Sequence, residues 1–330
     1  MKPERSMKEI VARSGIAART SPPDMARTRE LPGVPIRRPL ANVDPLAAER
    51  VRRAFSFGYP YRNYSKISPT PYDWAGVNGV QEVAAAYGTN GPYHGLRALI
   101  TNWPQLDYVH PNEFSMNYIM IGYTLDKDLL YGRAWPAVFG DSRARLFVYY
   151  TNDSGNNNNC FNLDCGGFHL QNSSVYLGGK WDQLTQPGGA RYALPVSIHR
   201  DDTSLAWWVS VLDMEIGYYP ENLFDTEFPD GSYVEMGGRV ADTRPDGSHT
   251  ATQMGNGSPA CGGSRFATTI LEYFGVSAYG ELFRDSVDRT VVTTPSCYGA
   301  QTLGFSKTRP GYSLAYGGSG GIYCDVTDAY

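Results

Sequence analysis

At 330 residues the chain has room for one large domain or two modest ones. Its 36 glycines, 24 tyrosines and 22 prolines, against only 19% charged residues, favour a turn-rich β fold over a helical bundle or a disordered chain. No stretch approaches the roughly 18 consecutive apolar residues of a membrane span, so the sequence predicts a soluble chain.

The net charge of -4 is unevenly spread: residues 1–53 carry 12 Lys/Arg against 6 Asp/Glu, a local +6 that leaves -10 for the rest. A basic arm on an acidic body suits nucleic acid or a membrane surface, but no aromatic residue interleaves with these charges before Phe55. Neither partner is therefore expected. The reading is an arm (1–55) that packs on the acidic body or is removed from it. The opening residues contain no apolar core of the kind a secretory signal needs.

Within the arm, DPLAAERVRRA and Phe55 (44–55) predict one short helix beginning after Pro45, and the rest reads as irregular. Residues 56–79, rich in Tyr, Pro and Ser, read as a linker. From residue 80 to 330 short strand candidates recur between Gly, Asn, Asp and Pro clusters: VQEVAAAY (80–87), LRALITNW (96–103), FSMNYIMIGY (114–123) and RLFVYYT (145–151). FHLQNSSVYL (168–177), LPVSIH (194–199) and AWWVSVLDMEIGYY (206–219) continue the series. YVEMGGRVADT (233–243), TTILEYFGV (268–276) and YSLAYGGSGGIYC (312–324) complete it. Strands without interleaved helices imply an all-β fold, an antiparallel β-sandwich or barrel.

Four N-x-S sequons, at Asn63, Asn152, Asn172 and Asn256, and the placement of the cysteines point to an extracellular, oxidising setting. Cys160 and Cys165 sit in a polar segment, and Cys297 and Cys324 bracket a Gly/Tyr-rich tail. Disulfides Cys160–Cys165 and Cys297–Cys324 are expected, leaving Cys261 free. The five histidines show no metal-ligand spacing, so no metal and no cofactor are implied. Gly-Ser-Gly around Ser319 lies in a glycine-rich hairpin rather than a strand-turn-helix elbow, and reads as a turn.

The most informative stretch is WWVSVLDMEIGYYPENLF (207–224) followed by YVEMGGRVADTRPDGSHTATQMGNG (233–257). It resembles the neprosin family, which carries W-W-x-x-F-x-x-x-x-I-G-Y-W-P-x-x-L-F, a G-G-E-V strand and S-H-T-x-T-Q-M-G-S-G. NEFS (112–115), FGDSRARLFVYYTND (139–153), CFNLDCGGF (160–168) and PSCYG (295–299) have counterparts in order, and PGVPIRR (32–38) resembles the end of the family's pro-segment. The resemblance implies an antiparallel β-sandwich with a cleft on one face. In the family's secreted glutamic prolyl endopeptidases two glutamates face each other there, one activating water and one protonating the leaving group.

The resemblance also implies that this pair is missing. Gly237-Gly238-Arg239-Val240 carries arginine where G-G-E-V carries glutamate, and arginine does not serve as a general base. The other glutamate belongs to S-I-E-A-G-W, whose place in the interval before Phe139 falls on Leu129, Leu130 or Tyr131, with Asp126 and Asp128 nearby. Glu235 lies four residues before Arg239, on the same strand face. Two readings of Arg239 stand: it holds an anionic ligand, or it pairs with an acidic neighbour and packs. The expected function is binding or extracellular assembly without proteolysis, with a carbohydrate or anionic small molecule as ligand. Alternatives are a new enzyme using Arg239 with Tyr131, Glu235 or Glu215 on a sugar or specialised metabolite, and a prolyl endopeptidase with relocated carboxylates. Self-association through the arm, by strand addition to a neighbour's sheet, is a further expectation.

Overall fold

A computed structural model describes residues 80–330, apart from 105–107, 123–127, 132–141, 152–158, 164–165, 173–176, 180–183, 225–227, 288, 309, 322–323 and 325–330. The arm, its expected helix, the linker, Asn63, Asn152 and the Cys160–Cys165 pairing lie outside what is described.

Sixteen strands occur among the described residues. The first eight are β1 (Val80–Gly88), β2 (Gly95–Thr101), β3 (Ser115–Gly122), β4 (Asp128–Tyr131), β5 (Val148–Thr151), β6 (Asn159–Phe161), β7 (His169–Leu170) and β8 (Ala193–Arg200). The others are β9 (Trp207–Val211), β10 (Met214–Tyr219), β11 (Tyr233–Asp242), β12 (Thr268–Val276), β13 (Leu282–Phe283), β14 (Arg289–Val292), β15 (Gly299–Gly304) and β16 (Tyr312–Gly317). One sheet runs β14-β1-β11-β3-β4-β5-β6 and the other β15-β16-β12-β2-β8-β9-β10-β7, with β13 beside β12. All pairings are antiparallel. The fold is an antiparallel β-sandwich, as the sequence predicts.

Every second residue of the central strands enters the core between the sheets. Ala84 and Ala86 of β1, Ile119 and Ile121 of β3, and Val234, Met236 and Val240 of β11 meet Leu96, Ala98 and Ile100 of β2. Val196 and Ile198 of β8, Ile270 of β12 and Leu314 and Tyr316 of β16 complete that side. At its centre Gly237 and Gly238 are required by packing. A Cβ on Gly238 would sit 2.7 Å from Met254 and from the Tyr316 ring, and one on Gly237 would meet the Ala84 carbonyl of the next strand at 2.4 Å.

The segment 206–219, which the sequence suggests as one strand candidate, is a hairpin. Leu212 and Asp213, both at positive φ (55° and 58°), turn β9 into β10. Turns of this kind ordinarily carry Asn-Gly, so no glycine marks the break. Asp213 has a compensating contact: its Oδ1 accepts a 3.0 Å hydrogen bond from the buried Arg97 guanidinium. Cys297 and Cys324 form the expected disulfide, and Cys261 is free and exposed.

Candidate functional site

Alternation splits the residues of β1 and β11 between two faces. Glu235, Gly237 and Arg239 turn away from the core that Val234, Met236 and Val240 enter. On that outer face Tyr87 of β1, Glu235 of β11 and Met120 of β3 are successive register partners, and the backbone register continues from Met120 to Leu130 of β4 and Tyr149 of β5. Tyr131, one step beyond Leu130, is opposite Val148. Arg239 lies farther along β11, between Val83 and Met116.

Glu235 and Arg239 meet. The carboxylate accepts a hydrogen bond from Arg239 Nη2 at 3.3 Å and another from the Tyr118 hydroxyl. Arg239 Nη1 donates to Gln81 Oε1 at 3.3 Å, and the guanidinium carbon stands 5.0 Å from the centre of the Tyr118 ring. All four side chains are buried. Of the two sequence readings of Arg239, this geometry is the paired one: its charge is matched in place by Glu235, and its flat face rests on a phenol.

Glu215 is on the other sheet. It is exposed, its Oε1 3.6 Å from His199 Nε2. Burial holds the His199 imidazole below its ordinary value, against the opposing pull of Glu215 and Asp201. Beside it runs a second row, His199 of β8, Trp208 of β9, Tyr218 of β10 and His169 of β7, again successive register partners. The Trp208 and Tyr218 rings are 4.8 Å apart, and His169 stacks on Tyr218 at 5.1 Å. Trp207 points the other way, into the core against Phe228 at 4.5 Å. The adjacent tryptophans therefore divide between core and outer face, as alternation requires; which of them faces outward was not readable from the sequence.

The Ser248–Gly255 segment, the S-H-T-x-T-Q-M-G motif, packs over one end of the sandwich. Glu113, wholly buried, accepts hydrogen bonds from the Thr250 hydroxyl at 2.5 Å, the Thr252 hydroxyl, and both the N–H and hydroxyl of Thr243 at 2.8 Å. Four donors on one carboxylate explain the alternating threonines. His249, between them, faces Glu82 and Asp242. Sequence reasoning passed over Glu82, Glu113 and His249 as a group, since they are brought together only by pairing of distant strands.

Of the sequons within the described residues, Asn256 has its amide nitrogen donating to the Phe266 carbonyl at 2.6 Å, and Asn172 follows β7 with its backbone N–H bonded to Ile216 at 3.1 Å. No helix among the described residues is long and apolar enough to cross a membrane.

The family model described as Neprosin matches residues 111–319. Among solved structures, the chain is similar to scytalido-glutamic peptidase with a transition state analog inhibitor, at 9% identity and a TM-score of 0.36, over 72% of this chain and 98% of that one. A second structure of scytalido-glutamic peptidase, with a peptide-based transition state analog, matches at 11% identity and a TM-score of 0.36, over 72% and 97% of the two chains.

Proposed function

This chain belongs to the neprosin family, and from that premise we propose that it is an extracellular member that binds a carbohydrate and does not cleave peptides. Family membership and a disulfide both fit an extracellular protein. The observation that carries the proposal is the environment of Glu235. A two-carboxylate mechanism needs a second acid across from the first, close enough to share a water. The residues directly across from Glu235 are Tyr87 and Met120.

Two ways of laying the family motif on this face lead to the same end. Placed on G-G-E-V, the second glutamate is Arg239. S-I-E-A-G-W also fits Ile119-Met120-Ile121-Gly122-Tyr123, keeping the isoleucine, the glycine and a final aromatic residue, and then the first glutamate is Met120. Leu129–Tyr131 on β4 are the other counterpart, and neither placement supplies an acid. Among the described residues no second acid stands directly across from Glu235, which is tied to a cation, and each missing general acid or base lowers a rate by about 10²–10⁴-fold.

The same pairing argues against an anionic ligand at Arg239, since an anion would have to displace Glu235. The aromatic row Trp208, Tyr218 and His169 supports a carbohydrate instead. Adjacent, partly exposed rings on this sheet offer apolar surface to the C–H side of a sugar, and Glu215 beside them accepts hydroxyl hydrogens.

The test has two arms. Purified protein is incubated with proline-containing peptides from acid to neutral pH and read by mass spectrometry. No cleavage is expected, and cutting after proline that disappears in Glu235→Gln would overturn the non-proteolytic reading. Titration with neutral oligosaccharides should show saturable binding that falls at least tenfold in Trp208→Ala. Binding of sulfated or uronate sugars alone, lost in Arg239→Ala, would overturn the ligand assignment.

A further inference from the structure

Glu82, Asp242 and His249 converge at one end of the core. Glu82 and Asp242 come from β1 and β11, on the inner faces of those strands, and His249 comes from the motif segment packed over them. All three are at most 3% exposed. His249 Nε2 is 2.9 Å from Glu82 Oε2 and 3.9 Å from Asp242 Oδ2. Its Nδ1 is 2.7 Å from the Thr250 carbonyl oxygen, which can only accept, so Nδ1 carries the hydrogen. Glu82 Oε2 at 2.9 Å likewise only accepts, so Nε2 holds a hydrogen as well, and once that proton leaves, the Nε2 lone pair points at the two carboxylates. The Nδ1 contact is the arrangement in which a carbonyl fixes the tautomer and ring plane of a metal-binding histidine.

A second observation points to a missing cation. Glu82 Oε1 and Asp242 Oδ2 are fully buried and receive no hydrogen bond. Buried carboxylate oxygens without donors are costly, and native structures rarely keep them without a partner or an ion. Among the described residues Arg244 is the arginine over them, its Nη2 3.6 Å from Glu82 Oε1 and 3.7 Å from Asp242 Oδ2. These distances are too long for hydrogen bonds. Arg244 is 43% exposed and lies over the cluster from the solvent side.

We propose that Glu82, Asp242 and His249 form a binding site for a divalent first-row metal ion, entered by displacement of the Arg244 guanidinium. One imidazole nitrogen and two carboxylates make a donor set suited to Zn²⁺ or Mn²⁺, and the ligand atoms all lie within 4.8 Å of one another. A divalent ion balances both carboxylates, supplies the partner that their open oxygens lack, and lets Arg244 swing to water. The neighbouring Cys297 and Cys324 are joined in a disulfide and are not part of the donor set.

The probe is ZnCl2, with MnCl2 in parallel, added to metal-stripped protein with its disulfide intact. Calorimetry should show one equivalent bound, with a rise in melting temperature. Asp242→Asn and His249→Gln should each weaken binding at least tenfold, and Arg244→Ala should strengthen it by removing the competitor. Arg244→Ala changes a half-exposed side chain, so it keeps the test decisive if the buried variants fold poorly. Absence of saturable binding in both wild type and Arg244→Ala would overturn the proposal, leaving a proton on His249 as the cluster's cation. Binding of equal strength in the Asp242→Asn and His249→Gln proteins would also overturn it, by locating the metal elsewhere.

Discussion

Gln81 and Glu82 are neighbours in sequence and belong to different clusters. Gln81 turns outward and joins Glu235, Arg239 and Tyr118; Glu82 turns inward and joins Asp242, His249 and Arg244. Both clusters straddle the same pair of strands and both bury charge. The outer one holds its cation deep and fixed, with the Glu235 oxygen receiving two donors. The inner one holds its arginine at the rim, and two of its carboxylate oxygens receive none. A buried charge whose partners are all provided by neighbouring strands behaves as structure, while one whose partner lies loosely at the edge remains open to exchange.

Removing Arg239 breaks this contrast most severely. Arg239→Met should cost about 3–5 kcal/mol, because Glu235 is then buried without its cation. Urea denaturation measures the loss. The double variant Glu235→Leu/Arg239→Met should recover most of it, since an apolar pair of similar volume escapes the desolvation penalty. A small cost for the single variant would mean that Arg239 is not what balances Glu235.

His249→Gln sharpens the other side. Burial opposes a charged imidazole here, but the hydrogen bond and charge of Glu82, helped by the Thr250 carbonyl and Asp242, outweigh it and the net shift is upward. A raised histidine stabilises fully below its unfolded value, near 6.5, and loses that contribution as pH climbs through the folded value. Asp242 is also raised, chiefly by burial, with its charged neighbours Glu82, His249 and Arg244 acting on it as well. Its effect has the same sign at lower pH; His249 lowers the Asp242 value, so Asp242 is raised further in His249→Gln, and the comparison is made above the usual carboxylate range. The wild type should therefore exceed His249→Gln by about 1–3 kcal/mol near pH 6, the range for a hydrogen bond to a charged group, and by less near pH 9. Thermal melts across that range check the trend, and a gap that widens with pH would contradict it. Cys261→Ser, at an exposed thiol, should change stability by no more than about 0.5 kcal/mol in the same melts.

What the sequence made legible follows from range. Local alternation put Glu235 and Arg239 on one face, and the geometry agrees. The run of strand candidates and the motif order implied the sandwich, and the placement of Cys297 and Cys324 about a Gly/Tyr-rich tail implied their pairing. The Leu212–Asp213 turn was hidden because its residues are not those that favour positive φ, and Glu215 lies beyond it on β10, in the sheet opposite Glu235 and Arg239. The short strands β4, β6, β13 and β14 were too brief to show periodicity, and β15 (GAQTLG) has a single large apolar residue. Glu82 and His249, 167 positions apart, meet only through the strand pairing of the folded chain, and one sequence carries no sign of that.

The Cys297–Cys324 bridge closes a separation of 27 residues, and the Gly321 N–H just before it bonds the Thr250 carbonyl at 2.8 Å, behind His249. A crosslink of that span withholds about 3–4 kcal/mol of chain entropy from the unfolded state in the loop-closure account. Its effect is also local, because it anchors the strap behind the imidazole. Thiol reductants should therefore loosen the histidine's backing before they unfold the sandwich, making the geometry of the inner cluster a record of the oxidation history of two sulfurs.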